Sequence, residues 1–163
     1  MEVNWYIILS TGLIPNLIGF LWYGPLFGKA WIKEAGVNPD PQNVNMVKIT
    51  LFTLLFGVML AVLLTPMVIH QFSVAAALST PEFNVEGSAV QQYFKDFMSM
   101  YGNNFRSFGH GALHGFMLGL FGFFPLIGCN AMYESKSWKY ILINTGFWTV
   151  CAIIMGGIIC AFA

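Results

Sequence analysis

The residues of this 163-residue chain best suited to chemistry are its three histidines, and two of them stand four apart. His110 and His114 lie in the stretch FGHGALHGFMLGLFG, so on a helix their rings sit one turn apart on one face. His70 interrupts an apolar run further up the chain. Neutral imidazole is a common transition-metal ligand. Three rings at one level suit zinc or copper, and two suffice for haem iron. An ionisable group in lipid is a functional candidate in its own right, for binding a proton or a small solute as much as a metal. The plainer reading is three histidines at helix ends, bonded to carbonyls or water at an interface. Asp96 and Arg106 are the charges nearest to hand for either role.

Other site types are absent from the sequence. There is no P-loop, no GxGxxG, no GxSxG and no HExxH; Gly111 stands where the glutamate of HExxH would be. No apolar segment carries an acidic residue, which counts against an ion-coupled transporter with a buried carboxylate. The formal net charge is zero, so nothing points to nucleic acid as a partner.

Composition names the elements that must position the histidines. The chain is 57% hydrophobic and 9% charged, where a soluble domain carries about 25% charged residues. The stretch 108–130 has no Asp, Glu, Lys or Arg. At about 1.5 Å per residue it extends roughly 34 Å, enough for a hydrocarbon core of about 30 Å. Three other stretches read the same way, and lipid offers no partners for irregular backbone, so the expectation is all-α: four transmembrane helices over about 4–24, 49–72, 108–131 and 140–162. Pro15 is expected to kink the first, Gly24-Pro25 to end it, and Asp40-Pro41 to open the helix that leads into the second. The polar segment 79–107 holds Val90, Tyr93, Phe94, Phe97, Met98 and Tyr101 at helical spacing. It predicts an extra amphipathic helix lying at the interface or capping the bundle.

Because spans alternate in direction, His70 at the end of the second and His110 and His114 at the start of the third fall in one leaflet. Lys29, Lys33, Lys48, Lys136 and Lys139 lie on the opposite side, against Lys95 and Arg106 on the histidine side. The positive-inside rule then puts both termini and the amphipathic segment outside. Gly111, Gly115 and Gly119 form a smooth strip on which another helix can pack, in the same chain or a second copy, and Gly156-Gly157 marks a further close approach. Asn16, Asn130 and Asn144 are expected to hydrogen-bond between helices. Cys129, Cys151 and Cys160 fall in apolar segments without a CxxC pair and read as reduced packing residues.

Two stretches together resemble a small bacterial membrane family catalogued as domain of unknown function 1761. They are NWYIIL…GFLWYGPLFGKAWIKEAG and GFMLGLFGFFPLIGCNAMYESKSWKYILINTGFWTVCAIIMGGIICAF, covering roughly residues 4–36 and 111–162. The resemblance implies a four-helix inner-membrane protein and no activity; the segment 79–107 looks longer than the family's usual connection. The expectation is therefore a non-enzymatic protein of a bacterial inner membrane, surrounded by lipid. It would have no cofactor and would work as a homo-oligomer or an accessory subunit of a membrane complex. The opposing expectation is zinc, copper or haem, or a proton or small solute, held at His70, His110 and His114.

Overall fold

Capping side chains set where the helices begin. In the computed structural model, which describes residues 3–37 and 44–163, Asn4, Asn45, Ser88, Ser107 and Ser137 each accept a hydrogen bond from a backbone N–H in the first turn that follows. The helices are α1 (Trp5–Leu26), α2 (Gly28–Ala35), α3 (Met46–Val68), α4 (Gln71–Ala77), α5 (Ala89–Tyr101), α6 (Phe108–Tyr133) and α7 (Trp138–Phe162). Among the described residues there is no strand. Four helices, α1, α3, α6 and α7, are long and apolar enough to cross a membrane. The Asp40-Pro41 start signal lies outside the described residues.

Prolines shape the spans. A turn of 3-10 helix, Thr11–Leu13, stands just before Pro15 in α1. Wide π turns occupy Trp22–Leu26, around Pro25, and Gly119–Phe123, just before Pro125. Each proline lacks the N–H that would close the regular ladder, and the backbone adjusts in the turn before or around it. At Gly24 (φ −99°, ψ −107°) the chain leaves helical geometry and turns into α2.

α7 is the axis of the bundle and far the most buried of the four spans. It packs against α1, α3 and α6, and Phe147, Cys151, Ala152, Met155, Ile159 and Cys160 form its buried face. The glycine strip of α6 lies inside this chain. A Cβ on Gly111 would run into the Gly156 carbonyl, one on Gly115 into Ala152 and one on Gly119 into Thr149. Gly157 meets the Phe108 ring. A second close crossing, not anticipated from the sequence, sets Gly57 of α3 against the Gly12 carbonyl of α1.

The WYGPLFGKAW stretch docks onto the first third of α7. Trp22 donates its indole N–H to the Ile143 carbonyl at 3.0 Å. Tyr23 Oη and Trp31 Nε1 both donate to Asn144 Oδ1, at 3.0 and 3.2 Å, and Asn144 Nδ2 donates to the Tyr140 carbonyl. Asn144 thus makes the interhelical bonds expected of it, and Asn16 reaches the Thr50 carbonyl of α3. Asn130 makes no such bond among the described residues: it is exposed near the end of α6, on the side of the helix away from the buried Ala131. Cys151 and Cys160 are buried, whereas Cys129 is exposed. Replacing Asn144 with alanine strands two donors in a half-buried site. At roughly 0.6 kcal/mol or more per membrane hydrogen bond, the thermal midpoint in detergent is expected to fall by about 3–6 °C. An unchanged midpoint would show that the node contributes nothing.

α2 fixes which ends face together. Lys136 donates to the Ala35 carbonyl, Ser137 donates to Glu34 Oε2 at 2.6 Å, and Lys139 lies 3.8 Å from Glu34. The first and third connections therefore share one face of the bundle. The end of α3, the start of α6 and the end of α7 lie at the other.

Candidate metal centre

The second span ends at Val68, earlier than the hydropathy pattern implies, because Ile69 is extended (φ −107°, ψ 90°). That single residue carries the chain off the axis of α3, and His70 then begins α4. On α6, Ser107 caps the helix by accepting from the His110 N–H at 3.3 Å. One turn further along lies His114, beside Gly115, whose contact with Ala152 holds this end of α6 against α7.

The break and the cap bring all three imidazoles to one point. His70 Nε2 lies 3.1 Å from His114 Nε2 and 3.5 Å from His110 Nε2, and the last pair are 3.2 Å apart. The rings meet edge to face, with centroids 4.7–5.0 Å apart. Phe105 closes one side, its ring 5.2 Å from His110 and 6.0 Å from His70. It does so from a left-handed backbone (φ 63°), a strained conformation for a bulky residue. The Phe105 carbonyl accepts from Ser107 N and from Cys160 Sγ, which holds the strained turn in place.

Hydrogen bonds among the three rings alone do not satisfy such a triangle. Each Nε2 offers one in-plane direction, carrying either a hydrogen or a lone pair. Two hydrogens at the centre repel each other; one serves only part of the triangle; none leaves three lone pairs face to face. A cation at the centre gives each lone pair a partner. Three nitrogens bound tetrahedrally to zinc at 2.0–2.1 Å would be about 3.3–3.4 Å apart, and the observed 3.1, 3.2 and 3.5 Å bracket that value. The same separations are too short for two haem ligands, which lie on opposite sides of the iron at about twice a metal–imidazole bond of roughly 2 Å.

Neither charge considered from the sequence joins the histidines. Arg106 turns to the end of α7 and donates to the carbonyls of Cys160 and Ala163, capping that helix. Asp96 is exposed on α5 and accepts from Gln92. Among the described residues, the three histidines are the whole candidate ligand set. Sequence reasoning missed Gln71, the amide next to His70. It is buried and donates to the carbonyls of Tyr101 and Asn104, tying α4 to α5 and the turn after it. A lone amide within an otherwise apolar run was the signal for it.

Four spanning helices, with three imidazoles converging at one end of the bundle, define an all-α integral membrane protein with a candidate three-histidine metal centre. The chain belongs to the family described as Protein of unknown function (DUF1761), whose model matches residues 6–160. That match runs through the segment 79–107 as well as the two stretches in which the resemblance is visible by eye. No curated protein and no solved structure matches the chain.

Proposed function

We propose that this protein binds one transition-metal ion, zinc or copper, through His70, His110 and His114 at one face of the membrane. The convergence of three Nε2 atoms within 3.5 Å carries this reading. Imidazole nitrogen suits zinc and copper alike, so availability selects between them. Three neutral ligands leave the ion its full charge and a fourth position free, the arrangement of zinc sites that act on a bound water or ligand. The competing idea of a packing protein drew on the glycine strip as a surface for a second copy, and that strip is occupied by α7. Protein purified in mild detergent should carry about one zinc or copper per chain by elemental mass spectrometry, release it to a chelator and show no haem band. A preparation that stays metal-free when offered either ion would end this reading.

We place the histidine face and both termini outside, in a bacterial inner membrane. Support comes from the lysines: Lys29, Lys33, Lys136 and Lys139 belong to the connections joined through α2, away from the histidines. A cysteine at Ser88 should react with an impermeant maleimide on intact cells, and one at Ser135 only after permeabilisation. Reaction of both on intact cells would refute the orientation.

A further inference from the structure

A cavity of about 700 Å³ lies between α1 and α3, with Phe147 and Trp148 of α7 in its wall. It begins at Pro15, whose ring lies beside Gly57 where the two helices touch, and ends at Pro25 and Met46. From Pro15 to Pro25 the chain advances ten residues, about 15 Å at ~1.5 Å per residue. That is half of a hydrocarbon core of roughly 30 Å, the depth of one leaflet. Leu17 and Phe20 line the cavity and are among the exposed apolar residues of α1, so it opens as a groove on the surface that faces lipid. Asn16 and Tyr23 in its wall are already engaged, donating to the Thr50 carbonyl at 3.3 Å and to Asn144 at 3.0 Å. What remains for an occupant is mostly hydrocarbon and ring surface. Apolar space of this kind does not hold water, and at this depth in a membrane the apolar body available is a lipid chain.

Charge stands at the mouth of the groove. Tyr23 lines it, and the Tyr23 carbonyl lies where a Cβ on Gly28 would fall, while the Tyr23 and Trp31 rings are 5.4 Å apart. The first turn of α2 is thus seated on the end of the groove. Lys29 follows Gly28 directly and Lys33 comes one turn later; both are exposed, and among the described residues neither forms an ion pair. We propose that the groove holds one acyl chain of an anionic phospholipid, with the headgroup phosphate on Lys29 and Lys33. Lysines beside a transmembrane groove are suited to an anionic headgroup. A helix of a second copy, about 10 Å across with its side chains, would fill roughly 1,200 Å³ over that length and is too thick to enter. An extended hydrocarbon chain is not. None of these residues belongs to the histidine centre, which lies at the other end of the bundle.

Native mass spectrometry of delipidated protein in mild detergent tests this, with phosphatidylglycerol and phosphatidylcholine of the same chains as probes. Phosphatidylglycerol should saturate at one molecule per chain. It should bind about tenfold or more tighter than phosphatidylcholine, since each lysine near the headgroup contributes about fivefold. Lys29→Gln combined with Lys33→Gln should abolish that preference. Gly19 lines the groove, and a Cβ there meets only the Phe147 ring, at 3.6 Å. Gly19→Leu should therefore fold, fill the groove and weaken both lipids about tenfold. Thr53→Leu, also in the wall, is the second variant if Gly19→Leu fails to fold. Equal binding of the two lipids, or a preference that survives loss of both lysines, would overturn the headgroup assignment. Unchanged lipid binding by the filled variant would overturn the groove as the seat of the chain. So would a dimer that excludes lipid and is dissolved by Gly19→Leu, which would put a second copy there instead.

Discussion

Alanine in place of His114 is expected to leave the helices standing and to weaken zinc binding at least about a hundredfold. Loss of a group that merely orients a ligand costs 10–100-fold in known metal sites, and loss of a ligand itself should not cost less. The fold should survive, because the histidine contacts run from ring to ring and no buried backbone group depends on them. His70→Ala and His110→Ala should behave alike. Combining any two should add little, since three ligands around one ion act as a unit. Protons compete for the same lone pairs, so affinity should fall as pH is lowered. Thermal unfolding gives a second readout: zinc at a hundred times its Kd stabilises wild-type protein by about 2.7 kcal/mol and leaves the variants unmoved. Zinc affinity that survives these substitutions would make the cluster a matter of aromatic packing.

The second large effect is expected at Gly115. A Cβ there would overlap the Ala152 carbonyl and lie 2.6 Å from Ile153 N. Both are backbone atoms of the axial helix, which cannot swing aside as a side-chain tip can. Gly115→Leu should therefore push α6 from α7 and lower the thermal midpoint in detergent by about 10 °C or more. Metal binding should be lost with it, because His114 is the neighbouring residue. Gly109→Ala is the matched control, since nothing lies within 4 Å of a Cβ at that position. Equal midpoints for Gly115→Leu and Gly109→Ala would disprove the close contact.

How much of this was legible in the sequence depends on how local the cause is. The spans follow from uncharged length, and the shared level of the histidines from alternating helix direction; both need only short-range information. The partner of the glycine strip was not legible, because a row of glycines looks the same whether α7 or another copy lies on it. Arg106 illustrates the same limit. Its charge placed it on the histidine side, but only the fold shows that unpaired carbonyls at the end of α7 claim it instead. The end of α3 was misjudged because Phe72 continues the apolar run, while the break depends on one extended residue, Ile69. The job of WYGPLFGKAW, anchoring on Asn144, also lies across a long stretch of chain that no local pattern spans.

That one extended residue has a mechanical consequence. The chain between His70 and His110 holds α4 and α5, and of those two helices only Gln71 is buried. An ion held by both ends of this stretch, as proposed, would act as a clasp, fastening a thinly packed flap to a rigid frame. Fastening works in both directions, since any free energy by which the ion steadies the flap is also the amount by which lifting the flap loosens the ion.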